Sequence, residues 1–184
     1  SRLHPSRIIV LADDDQPLGG KSFLDAEIRV GGDAGASEVV ILKAHGAAAS
    51  NSESLVMGLL LPDAPVVAWW PSACSPNPSA TAIGKIATRR IVDSSEQPDA
   101  PAFLAEFAKN YRPGDGDMAW TRITLWRAQI AALFDQHLNR KVRAIEVIGS
   151  DLSPSAELLA NWLELRLGVT VKIEHKLDGE NVEG

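Results

Sequence analysis

Cysteine is nearly missing from this chain: Cys74 is the single one in 184 residues. No intrachain disulfide is possible, and a reducing compartment, the cytoplasm, is the expectation. Long apolar runs are lacking as well. None approaches the length of about 18 residues that spans a bilayer, so no membrane partner is expected. The four histidines (His4, His45, His137 and His175) are isolated in sequence, none within three to five residues of another His or Cys. That excludes the usual zinc spacings, and no metal or cofactor is expected. Basic residues are in the minority, 18 Lys and Arg against 24 Asp and Glu, for a net charge of −6. Nucleic acid is therefore a poor partner. No signal-like start is seen, and the first residue, Ser1, is read as following a trimmed or processed segment. No G-x-S-x-G elbow exists, and Cys74 has no neighbouring His in sequence, so no catalytic residue is expected.

The composition that remains, 45% apolar and 23% charged, is that of an ordinary globular chain. Its length fits one domain, residues 1–184. Three β segments are expected first: Arg7 to Leu11, Phe23 to Val30 with a period of two, and Glu38 to Lys43. The glycines from Gly31 to Gly35 are read as a hairpin turn, since a phosphate loop needs a helix after it and here a strand follows. A buried helix is expected from Ser50 to Leu61, with a serine (Ser50, Ser52 or Ser54) as cap and Glu53 in its first turn.

Helix and strand then alternate. P-D-A-P-V-V-A-W-W-P, from Pro62 to Pro71, reads as a buried central parallel strand that places Trp69 and Trp70 on opposite faces. Further elements are a helix at Ala80 to Ala87, a strand at Arg89 to Asp93, and a helix capped by Asp99 that runs to Asn110. The turn Arg112 to Asp117 leads into the longest helix, whose stripe includes Trp120, Ile123, Trp126, Ile130, Leu133 and Phe134. A strand at Val142 to Ile148 precedes a helix capped by Ser153 and ended by Gly168, and Val169 to Glu174 closes the pattern. The fold class expected is α/β: a layered mixed sheet, antiparallel on its N-terminal side and built of parallel αβ units after residue 50.

Few residues offer chemistry. Asp13, Asp14 and Asp15 point in different directions from one loop and read as a solvated turn. In G-D-G-D, Gly114 to Asp117, Asp117 is expected to cap the next helix and Asp115 to favour its positive end, in place of chelating Mg²⁺. The loop Gly149 to Ser155 leads into a helix N-terminus, and its Ser150 and Ser153 are candidates for an anion or ligand loop, with capping as the plainer role. A Trp–Arg set remains: Trp69, Trp70, Arg89, Arg90, Trp120 and Arg122. These types are enriched at protein-binding hot spots, whereas Trp126 and Trp162 are expected in the core.

Several runs together carry a resemblance: H-P-S-R-I-I-V (His4 to Val10), D-A-E-I-R-V-G-G-D-A-G-A-S-E (Asp25 to Glu38), L-L-L-P-D-A-P-V-V-A-W-W-P (Leu59 to Pro71), A-T-R-R-I (Ala87 to Ile91), Y-R-P-G-D-G-D-M-A-W-T-R (Tyr111 to Arg122) and L-A-N-W-L-E-L-R-L (Leu159 to Leu167). In that order, the chain resembles the bacterial glucose-6-phosphate dehydrogenase assembly family, OpcA. The resemblance implies a non-enzymatic assembly factor or activator whose partner is glucose-6-phosphate dehydrogenase, supporting the oxidative pentose phosphate pathway. Family chains are longer at both ends, so residues 1–184 are expected to be a core fragment. The residues themselves leave a second reading open, a regulatory α/β module binding a sugar phosphate or nucleotide. The stoichiometry and oligomeric state are not written in the sequence.

Overall fold

Period-two alternation in Phe23–Val30 produces a strand, and its position in the sheet follows from the short turn after it. The computed structural model describes residues 6–14, 22–31, 38–46, 48, 52–136, 141–150 and 153–176. The side chains of residues 13, 14, 52, 53, 175 and 176 lie outside that description. So do the body of the Gly31 to Gly35 turn, the aspartate run as side chains, Ser50, and Asp151. The described residues form two compact units, Ser1–Val66 and Val67–Gly184.

In the first unit, β1 (Arg7–Asp14), β2 (Phe23–Val30) and β3 (Glu38–His45) make a sheet in the order β1-β3-β2. β2 and β3 pair antiparallel, as a hairpin requires, whereas β1 adds to the far side of β3 in parallel. The middle strand holds the core, with Val40, Leu42 and Ala44 buried. Arg7 and Glu38 are register partners and form an ion pair at 2.7 Å; the same guanidinium donates to the Leu59 carbonyl at 2.7 Å. The helix expected from Ser50 to Leu61 is short, α1 (Ser52–Met57). It is also not deeply buried: Val56 is inside, but Leu55, Met57 and Leu61 are exposed. Nearly continuous apolar residues have no single face, so burying one side leaves the others wet.

The second unit contains β4 (Val67–Trp69), α2 (Ala82–Ile86), β5 (Arg89–Val92), α3 (Ala100–Asn110), β6 (Asp115–Asp117), α4 (Met118–Arg122), α5 (Thr124–Asp135), β7 (Ile145–Ser150), α6 (Pro154–Leu167) and β8 (Val171–Lys176). All its strand pairs are parallel, in two sheets ordered β4-β5-β6 and β7-β8. The chain is thus α/β, mixed in its first unit and parallel in its second.

Caps set the helix starts. Asp99 accepts from the Ala102 N–H at 3.0 Å, Asp117 from Ala119 at 2.8 Å and Ser153 from Ala156 at 3.3 Å. Each supplies an oxygen to a first-turn N–H, worth about 1 kcal/mol. Gly168 ends α6 at φ 65, a left-handed cap natural to glycine. The face of α6 bearing Ala156, Ala160 and Leu163 packs on Val147 of β7 and Val171 of β8, with Trp162 and Ile130 at the margin. No helix among the described residues is long and apolar enough to cross a membrane.

Further expectations change in the second unit. β4 is an edge strand, not the central one, because β5 takes the middle place. The long helix is broken at Ile123 into α4 and α5, and α5 has no buried residue. Trp126, expected in the core, is 60% exposed, and Leu125 beside it is 74% exposed.

Candidate functional site

The sheet β4-β5-β6 holds most of the Trp–Arg set, and alternation sorts those residues onto two faces. Register pairs lie side by side on the same face: Val67 with Arg89, then Trp69 with Ile91 and Gly116. The other face carries Ala68, Arg90 and Asp115, then Val92 and Asp117. Burial follows the alternation in all three strands.

The buried face is a polar network set beside an apolar cluster. Arg90 Nε donates to Asp115 Oδ1 in a short ion pair. The same guanidinium donates to the Ala87 carbonyl at 2.7 Å, the Pro113 carbonyl at 2.8 Å and the Gly84 carbonyl at 3.3 Å. Asp115 also accepts from the Arg112 N–H at 2.7 Å, so each of its oxygens has a hydrogen-bond partner within the fold. Its pairing with Arg90 replaces the expected role at the start of the next helix. Gly114, at φ +100, lets the chain pass Thr88: a Cβ there would lie 2.6 Å from the Thr88 carbonyl oxygen.

One turn further on, Asp93 is gripped by Arg122 through two hydrogen bonds of 2.7 and 2.5 Å. Asp117 Oδ1 accepts from the Ser94 N–H at 3.3 Å as well as capping α4. Gln97 binds the Ser72 and Asp93 carbonyls at 3.0 and 2.8 Å and accepts from the Cys74 N–H at 3.1 Å. Beside this network, Val92, Phe103 and Phe107 form a cluster on which Trp70 and Cys74 pack.

The Arg122 hydrogen bonds hold the Asp93 carboxyl below the usual aspartate range, against the opposing effect of its burial. A depressed folded-state value means stability that is complete above the unfolded value and lost as pH falls through the folded one. Arg122→Ala should therefore lower stability most near about pH 7, with the deficit shrinking as pH falls through the folded-state value. Urea unfolding over a pH series checks this; an equal deficit at both ends would disprove it.

Cys74 is a free, half-buried thiol. Burial, with the Asp117 charge adding to it, pushes its thiol up to about 11, so it stays protonated at neutral pH. Nearby, a shallow open depression of about 470 Å³ is lined by Cys74, Gln97, Asp99, Phe103 and Glu106 among others. Its charged members are acidic, which suits no phosphate. No group of three His, Cys, Asp or Glu among the described residues is placed to hold a metal ion.

The six Trp–Arg residues thus have different fates. Trp69 is 59% exposed and Arg89 is exposed on the same sheet face. Trp70 is turned to the other face and half-buried, and its backbone N–H donates to the Ile91 carbonyl at 2.9 Å. Arg90, proposed from sequence as an interface residue, is buried and wholly engaged inside the fold. Trp120 is half-buried, with the Arg127 guanidinium 3.6 Å from its ring centre. Arg122 reaches the surface but is tied to Asp93. In the loop before α6, the Ser153 hydroxyl is occupied by capping, and the Ser150 carbonyl accepts from the Ser153 N–H at 3.1 Å. The sequence reading missed Val67 as the exposed neighbour of Trp69, although their spacing of two residues carries that signal.

Against known families, two profiles match, both described as belonging to a "Glucose-6-phosphate dehydrogenase subunit". Residues 1–109 match the profile of its N-terminal domain, and residues 113–183 match the profile of its C-terminal domain. The chain belongs to the OpcA glucose-6-phosphate dehydrogenase assembly family. Comparison with curated proteins and with solved structures gave no match. The seam between the two OpcA profiles, at residues 110–112, falls between β5 and β6. These strands are hydrogen-bonded neighbours of one sheet, and Arg90–Asp115, Asp93–Arg122 and Ser94–Asp117 all cross the seam. In this OpcA chain the two profile halves share a single folded element.

Proposed function

We propose that the chain is a non-enzymatic accessory protein of the cytoplasm that binds glucose-6-phosphate dehydrogenase and promotes its assembly or activation, supporting the oxidative pentose phosphate pathway. The observation that carries this reading is the match of both chain segments to profiles named for that dehydrogenase. The side-chain chemistry agrees with it. The charged groups on the buried side of the β4-β5-β6 sheet serve the fold, while Trp69 and Arg89 face outward.

An accessory protein activates an enzyme by binding its active assembly more tightly than its inactive one. Moving an equilibrium from 1:99 to 99:1 takes about 5.5 kcal/mol of differential binding, within reach of one protein interface. The test is size-exclusion chromatography of the chain with purified dehydrogenase, alongside activity assays with and without it. Co-elution with a rise in activity is the expected result. Separate elution with unchanged activity would overturn the proposal.

A further inference from the structure

Parallel sheets are normally covered on both faces, because their crossover connections lay helices over each side. The β4-β5-β6 sheet departs from that rule. Its inner face packs on Phe103 and Phe107 of α3, while its outer face bears the exposed Val67, Trp69 and Arg89. Five residues make that face. Val67 is 58% exposed and Trp69 59%, Arg89 is exposed, and Ile91 and Gly116 are half-buried. A Cβ at Gly116 would meet nothing within 4 Å, so the row Trp69–Ile91–Gly116 falls from a standing indole to bare backbone. An exposed indole and valine on the same face of an edge strand are costly to leave in water, and a step of this kind accepts an inserted side chain.

The charge of the face selects among occupants. Arg89 is its single charged group, and its guanidinium makes no hydrogen bond or ion pair with any described residue. The nearest carboxylates of the same sheet, Asp115 and Asp117, belong to the opposite face. The chain as a whole carries −6, so this apolar platform with a free cation is a local exception in sign. We propose that the outer face of β4-β5-β6 docks an apolar segment of glucose-6-phosphate dehydrogenase that sets an Asp or Glu against Arg89. This rests on the accessory role proposed above and assigns it a surface. Trp and Arg are the residue types that most often dominate binding energy, and here they stand diagonally across one strand pair.

The experiment is binding of purified dehydrogenase to the chain by titration calorimetry, with Trp69→Ala, Arg89→Glu and Trp126→Ala compared at low and high salt. Trp126 is the control, an equally exposed tryptophan on α5. Trp69→Ala and Arg89→Glu should each weaken binding roughly thirtyfold or more, while Trp126→Ala stays near wild type. Wild-type affinity should fall with salt, and Arg89→Gln should flatten that dependence. If wild type binds and the two sheet variants bind equally well, the surface assignment is overturned and the accessory role stands. Loss in Trp126→Ala alone moves the interface to α5 and also overturns it. If wild type does not bind, the accessory role itself fails, and this inference with it. Sedimentation supplies a last arm: a wild-type dimer converted to monomer by Trp69→Ala would make the face a contact between copies and overturn the docking of the dehydrogenase there. Should Trp69→Ala fail to fold, Arg89→Glu, a surface change, decides the matter.

Discussion

Arg90→Ala should destabilise the folded chain by about 3–5 kcal/mol, the usual loss when one member of a buried ion pair is removed. The magnitude follows from what is left behind. Asp115 is left in a buried site with one backbone N–H as its remaining partner, and the carbonyls of Ala87 and Pro113 lose their donors. Desolvation of the stranded carboxylate outweighs the side-chain entropy regained by the shorter residue. Arg90→Lys should recover only part of the loss, since an ammonium lacks the planar fork that reaches Asp115 and three carbonyls at once. The adjacent Arg89→Ala should change stability by no more than about 0.5 kcal/mol. Urea unfolding followed by circular dichroism measures all three. Equal effects at positions 89 and 90 would show that the assigned faces are wrong.

Gly84→Ala is expected to lower stability by about 2 kcal/mol or more, although helix propensity alone argues for the opposite sign. Alanine within a helix gains about 1 kcal/mol over glycine. At this position its Cβ would lie 1.8 Å from the Pro78 carbonyl oxygen and 2.8 Å from Thr81 Oγ1. Both obstacles are held in place. Pro78 is fully buried, and the Thr81 hydroxyl caps α2 by accepting from the Gly84 N–H at 2.9 Å. The clash therefore displaces backbone, which places it at or beyond the upper end of the usual overpacking cost of about 1–3 kcal/mol. Sterics wins over propensity. A thermal melt of Gly84→Ala is decisive, since a raised midpoint would refute the close approach of α2 to Pro78.

Local signals were readable in the sequence because their physics is local. Asp99 with Pro101, Ser153 with Pro154, and Gly168 each announce a helix boundary through groups a few residues apart, and each is where expected. The antiparallel pairing of Phe23–Val30 was likewise legible from its alternation and the glycines after it. Long-range effects were not. β6 is three residues, Asp-Gly-Asp, with no apolar side chain to mark a strand, and its ordering depends on an arginine far back in the chain. Periodicity in Trp120 to Phe134 reported an apolar stripe but not whether any layer lies above it, so Trp126 was expected inside. The two adjacent arginines are the sharpest case. Composition makes Arg89 and Arg90 equivalent, and only the pleat of β5 sends one to solvent and the other into the fold.

The crossing of β5 and β6 over the profile seam also bears on how the chain is made. At roughly 5–20 residues per second, the ribosome takes roughly one to five seconds to travel from codon 90 to codon 115. During that interval the nascent polypeptide holds a guanidinium whose carboxylate has not yet been synthesised. The N-terminal profile segment can emerge complete and still lack the strand that closes its own sheet. Vectorial synthesis thereby orders the assembly: β4 and β5 come first and wait, and β6 arrives as the last strand to lock them.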